Sequence, residues 1–173
     1  MVRPYRFSLE EFFKLPLPER GVELLKGELY QMAPIGSRHA DLVDRWAEGL
    51  MEAFRGRARV RVQGPFVIPP DTYLEPDLLL LKPKAYWEGH PTPEDALLVV
   101  EVAESSLEYD LNKKIPLYAR GGVPEVWVQD LAGRRLLLFR EPRGDHYREQ
   151  LWLSPGEKVA PLAFPETLLE IPW

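Results

Sequence analysis

Two apolar runs constrain this chain more than any other feature. Residues 77–81 read Asp-Leu-Leu-Leu-Leu and residues 96–103 read Ala-Leu-Leu-Val-Val-Glu-Val-Ala. Both are too short for a typical core helix and far below the ~20 residues of a membrane span. Runs of this kind are strands covered on both faces, so the chain must fold other elements over a central sheet. Each run also carries one carboxylate, Asp77 or Glu101, in surroundings where an unpaired charge is costly. The fold has to give each acid a proton, a partner or a cation.

The rest of the sequence supplies the covering elements. Ser8 and Glu11 have capping-box spacing ahead of Phe12, Phe13 and Leu15, and Pro16 and Pro18 stop that helix early. Residues 22–26 and 28–32 flank Gly27 as a hairpin. Over 39–54, Val43, Trp46, Ala47, Leu50, Met51 and Phe54 recur at helical spacing, with Ser37 ahead as a cap and Gly56 behind as a stop. From Arg57 the period changes to two, which predicts a strand continuing to Ile68, followed by a turn at 69–71. Residues 111–119 predict a helix closed by Gly121 and Gly122, with Pro116 tolerable only near its start. Val126, Trp127 and Val128 form another buried strand, and 136–139 pairs with 147–153 across a polar turn. The order from Ala40 is helix, strand, strand, strand, helix, strand. That predicts one mixed α/β domain over 1–173, a central mixed sheet flanked by helices, with extra antiparallel strands.

Composition removes several chemistries. No cysteine is present, so a disulfide scaffold, a thiolate metal site and a cysteine nucleophile are excluded. The three histidines, His39, His90 and His146, lack the spacing of a helical zinc motif. The first residues lack a signal-peptide pattern, and the expected setting is soluble and cytoplasmic, with no membrane partner. A net charge of −5 argues against general nucleic-acid coating but allows a local basic groove. Arg55, Arg57, Arg59 and Arg61 offer one: a phosphate-binding stripe, or simply the charged protection of an edge strand.

Asp77 and Glu101 would converge at one sheet end if their strands are neighbours. Two carboxylates that close need a hard cation between them, and Mg²⁺ takes one or two carboxylates plus waters and phosphate oxygens. Each acid also has an ordinary reading, Asp77 as a strand-start residue and Glu101 as an exposed strand end. Lys114, on the helix after the Glu101 strand, either reaches back over the acids or forms a solvated i,i+4 pair with Asp110.

These residues carry a family resemblance. Glu75-Pro76-Asp77, Val99-Val100-Glu101-Val102, the spacing Asp110, Lys114, Tyr118, and the block Gly122-Val-Pro-Glu-Val-Trp-Val128 with Asp130 resemble the Uma2 family, compact members of the PD-(D/E)XK nuclease superfamily. Glu23-Leu-Leu-Lys-Gly-Glu-Leu29 and a helix opening near His39 are similar too. The resemblance implies a restriction-endonuclease-like core. It implies that Asp77 and Glu101, with the backbone carbonyl of Val102, ligate Mg²⁺ or Mn²⁺. The superfamily pattern places lysine at position 103, which is Ala103 here; in the Uma2-like pattern Lys114 takes over that role. Glu104 stands where the family more often has serine. Glu23 and His39 match shared positions and are expected to back the site.

The implied activity is metal-dependent endonucleolytic hydrolysis of DNA phosphodiesters, leaving a 5′-phosphate, with Lys114 orienting the attacking water. One alternative is a nuclease-fold module that binds nucleic acid or a protein partner with weak or no catalysis. Another is a phosphohydrolase acting on a small nucleotide. Superfamily relatives often pair, and Phe164, Leu168, Leu169, Ile171 and Trp173 suit either a homodimer interface or a cap on the core.

Overall fold

The computed structural model describes residues 1–173 and is built around a six-stranded mixed sheet. In chain order the elements are α1 (Leu9–Phe12), β1 (Val22–Leu25), β2 (Glu28–Gln31), α2 (Ser37–Phe54), β3 (Arg59–Val62), β4 (Phe66–Ile68), β5 (Thr72–Leu74), β6 (Leu78–Leu81) and β7 (Ala96–Ala103). There follow α3 (Leu107–Tyr109), a π-helical turn (Asp110–Lys114), α4 (Ile115–Gly121), β8 (Glu125–Asp130), β9 (Arg135–Arg143), β10 (His146–Leu153), β11 (Lys158–Val159) and β12 (Leu169–Glu170). The central sheet runs β10-β9-β8-β7-β6-β3. Only β7 and β8 are parallel, joined by the crossover through α4.

Alternation along β6 and β7 divides their side chains between two cores. Leu78, Leu80, Leu98, Val100 and Val102 face α2, where Leu42, Val43, Trp46, Leu50 and Phe54 cover them. Leu79, Leu81, Val99 and Ala103 face the other way, against Ile115, Leu117 and Tyr118 of the α4 region. The expected architecture was helices flanking the sheet, with extra antiparallel strands. On this second face a further sheet, ordered β2-β1-β5-β4, contributes Leu25, Phe66, Ile68 and Leu74 to the same core.

That second sheet arises from a break in the strand expected over 57–68. Gln63 has φ +49° and precedes Gly64-Pro65, so β3 ends and β4 pairs instead with β5, a strand that the sequence reading placed in no element. The helix expected from 39 begins at Ser37, and its N-cap is Gly36; Ser37 does not cap it. The helix expected from 111 starts earlier, at Leu107, and passes through the π turn; Pro116 follows that turn directly, as the second residue of α4. Of the C-terminal apolar residues, Phe164, Leu169, Ile171 and Trp173 pack onto the α2-side core, which is the cap arrangement, and Leu168 is exposed.

Arg59 and Arg61 of the arginine stripe lie on β3, an edge strand of the central sheet. Arg57, two residues ahead of that strand, pairs with Glu166 at 3.5 Å and lies over the Phe54 and Phe164 rings.

Candidate active site

Strand register places the acids. Leu78 lies opposite Val100 on β7 and opposite Val62 on β3, so one residue beyond the end of β6, Asp77 falls level with Glu101 on one side and Gln63 on the other. The hydrogen bonds agree: the Asp77 N–H donates to Glu101 Oε1 at 3.0 Å, and the Gln63 N–H donates to the Asp77 carbonyl at 2.9 Å. Gln63, Asp77 and Glu101 therefore form a row across three strands. The row sits on the α4 side, at the C-terminal end of β7, where β6 has just begun and leaves backbone on β7 uncovered.

Each side chain in the row is held. Asp77 Oδ2 accepts from the Val102 N–H at 2.8 Å and lies 3.1 Å from His39 Nε2, while Gln63 Nε2 donates to Oδ1 at 3.4 Å. The Asp77 hydrogen bond, together with the Val102 backbone, raises the His39 pKa above its ordinary value against the opposing effect of burial. His39 Nδ1 is buried without a partner.

Lys114 comes from the last position of the π turn and is 4% exposed. Its ammonium pairs with Glu101 Oε2 and, at 3.2 Å, with Glu23 Oε2. The solvated pair with Asp110 does not form: Asp110 is buried and its carboxylate accepts from the Ser106 hydroxyl at 2.9 Å. Glu23, on β1, also accepts from the Glu75 N–H at 2.7 Å and the Tyr109 hydroxyl at 2.9 Å. This ties the smaller sheet to the centre of the larger one. Ala103 lies on the same face in the core with Ile115 and Tyr118, with no lysine at its position.

Asp77, Glu101, Lys114, Glu23 and His39 thus meet around one open cavity of about 450 Å³. The Val102 side chain points into the α2-side core, and only its backbone meets the group. Glu75, Gln63, Ser106, Tyr109 and Asp110 also line the cavity; of these the sequence pointed only to Glu75, as part of the Glu75-Pro76-Asp77 motif, and to Asp110, as a solvated partner of Lys114. Six carboxylates line the cavity, those of Glu23, Glu75, Asp77, Glu101, Glu104 and Asp110, against the two fixed cations Arg20 and Lys114.

This excess shows in the titration of the buried groups. Burial raises Glu101 well above the ordinary carboxylate range; Lys114 opposes the rise, and Asp110, Asp77 and Glu23 add to it. Asp110 is pushed up to about 6, chiefly by burial. Burial alone would lower Lys114, but Glu101 and Glu23 outweigh it and hold the ammonium charged.

The donors fit a hard divalent cation. Oxygen ligands only, two adjacent carboxylates, surplus negative charge and a cavity with room for water are what Mg²⁺ or Mn²⁺ takes. No group of three or more His, Asp or Glu side chains is placed to hold a metal ion, so the protein's side-chain ligands would be the Asp77 and Glu101 pair. Asp77, Glu101 and the Val102 backbone would hold it.

Comparison with known proteins places this arrangement. The solved structure titled "Crystal structure of a putative nuclease belonging to DUF820 from Anabaena variabilis ATCC 29413" superposes with a TM-score of 0.76 over 95% of this chain and 95% of that one, at 18% identity, so the two share a fold. No protein with a curated description matches the chain. The family pattern of Uma2, described as "Putative restriction endonuclease", matches residues 9–171, a span that takes in all five residues meeting at the cavity. The strands that align Asp77 with Glu101 are those of a protein that belongs to the Uma2 family.

Proposed function

We propose that the protein is a Mg²⁺- or Mn²⁺-dependent endonuclease that hydrolyses phosphodiester bonds in DNA. The observation that carries this reading is the level alignment of Asp77 and Glu101 at the mouth of an anionic cavity, with Lys114 as the one ammonium among them. Such a cation supplies Lewis acidity, acidifying water and offsetting charge on the phosphodiester oxygens. Asp77 and Glu101 would hold it, together with the Val102 carbonyl. His39 and the Val102 N–H fix the orientation of the Asp77 carboxylate. Glu23 does the same for Lys114 from the opposite side. An ammonium has three N–H donors. Two are engaged by Glu101 and Glu23, which leaves the third to orient the attacking water or a phosphate oxygen.

The test is a panel of single-stranded, duplex and branched DNA, RNA and free nucleotides, incubated with Mg²⁺, Mn²⁺ or EDTA. Cleavage of DNA within the strand, in metal only and leaving 5′-phosphates, is the expected result. Hydrolysis of free nucleotides alone, or no metal dependence, overturns it. The tight hold of two carboxylates on Lys114 favours a second reading, a binding module with slow or absent catalysis. Metal-induced thermal stabilisation and DNA binding without cleavage would identify it.

A further inference from the structure

The edge strand that ends at the site also leads away from it, and its far end is unlike the rest of the surface. Alternation puts Arg59 and Arg61 on the same sheet face as Asp77 and Glu101, since Arg61 lies opposite Leu79 and Arg59 opposite Leu81. Neither arginine forms an ion pair. Arg59 donates to the Lys84 carbonyl at 3.0 Å, and Arg61 lies over the Tyr86 ring at 5.8 Å. Lys84 flanks the same ring at 5.2 Å, with its charge matched by Asp95 at 2.7 Å, and Lys82 is exposed and unpaired. Next to Tyr86 stands Trp87, which is 83% exposed. In a chain of net charge −5, the segment 82–87 and β3 therefore join uncompensated guanidinium and ammonium groups to an aromatic ring open to solvent. Glu88 and Glu94 are the nearby acids that no lysine neutralises.

We propose that this surface is where the nucleic-acid strand rests as it leaves the cavity, with Arg59, Arg61 and Lys82 against phosphates and Trp87 stacked on a base. The proposal rests on the nuclease reading for the identity of its occupant. Charge complementarity commits it to a polyanion, and an exposed indole on the same segment as Lys82 and Lys84 suits a polymer that carries flat bases between its charges. From Gln63 to Arg59 is four residues of extended chain, ~13 Å at ~3.3 Å each. That corresponds to about four nucleotide steps of ~3.4 Å along a duplex. The surface is also where an anionic ligand meets least repulsion, because the cavity itself repels phosphate until a cation enters.

The experiment uses the full chain and a fluorescein-labelled DNA oligonucleotide, single-stranded or duplex, with anisotropy read in EDTA so that no cleavage is needed. Trp87→Ala is expected to weaken binding by about five- to a hundred-fold, the effect of one lost base stack, while Trp87→Phe keeps most of the affinity. Arg59→Gln with Arg61→Gln is expected to weaken binding and flatten the salt dependence, lowering the slope of log K against log salt by about 1.4 on a single strand. Wild-type affinity and slope in folded variants, or no binding by the unaltered protein, would overturn the surface. Absence of Mg²⁺-dependent cleavage by a protein whose binding falls in Trp87→Ala would overturn the nuclease reading and leave the surface standing.

Discussion

Two buried acid–base groups sit on the central sheet, at opposite ends of its parallel pair, and they are built on different principles. At the start of β8, Glu125 is fully buried and lies opposite Arg140 on β9; the two pair at 2.7 Å, and the Trp127 indole and the Leu162 N–H donate to the same carboxylate, each at 2.8 Å. One anion there meets one cation and two neutral donors. At the end of β7, Glu101 shares the single ammonium of Lys114 with Glu23, while Asp77 and Asp110 stand beside them. The first group is satisfied within the protein. The second sets Glu101, Glu23, Asp77 and Asp110 against Lys114 and His39, which leaves surplus negative charge, and it opens on a cavity. Burial is thus compatible with either role, and charge balance tells a closed structural pair from a site waiting for a cation.

The contrast can be broken in four ways. The largest expected effect is on catalysis: Asp77→Ala should reduce Mg²⁺-dependent DNA cleavage on the order of a thousand-fold or more, read as initial rates on a labelled substrate. Its effect on thermal stability should be smaller than that of a change at the balanced pair, since the loss of hydrogen bonds is offset by relief of repulsion. Arg140→Met leaves Glu125 buried with its two neutral donors alone and should cost about 3 kcal/mol in chemical denaturation, with the metal dependence of any cleavage unchanged. Mg²⁺ at about a hundred times its dissociation constant should stabilise the unaltered protein by about 2.7 kcal/mol. The same addition should leave Asp77→Ala unmoved in a thermal melt.

The smallest effect sharpens the comparison through pH. Asp110 titrates near 6 in the folded chain against an ordinary 3.8, so the folded state binds the extra proton between these values. Stability therefore falls as pH rises from about 4 to about 6, and the loss persists above. Asp110→Asn, measured in EDTA, should stabilise the protein by on the order of 2 kcal/mol at pH 7. The gain should vanish below pH 4. A gain that did not depend on pH would mean that the surplus charge is not what burdens this end of the sheet.

Much of the sheet was legible in the sequence, because β6 and β7 announce themselves by continuous apolarity and α2 by a stripe at helical spacing. The order of helix and strands from Ala40 follows from those signals alone. The break between β3 and β4 was not legible, since the alternation runs on through Val62 to Ile68 and only Gly64-Pro65 hints that the chain changes sheets. Thr72–Leu74 was missed for a related reason: three residues behind a proline turn carry too little pattern to register. At the site, Asp77 and Glu101 stood out because acids are rare within such runs. Glu23 and His39 came from family likeness, not from their surroundings. Asp110 was read only as the solvated alternative partner of Lys114, because helical spacing cannot tell a surface pair from two groups buried by a sheet folded over them. Gln63 gave no signal short of knowing that it lies level with Asp77.

That level row across β3, β6 and β7 has a bearing on folding errors. Side chains on a strand change sides with every residue, so a shift of β6 by a single position would drive the Asp77 carboxylate under α2, against Trp46 and Val100, and turn a leucine toward the anionic mouth. Such a chain would lose its core and its alignment together. Misassembled molecules are then eliminated by their own instability, and nearly every molecule that survives folding presents its two acids in step.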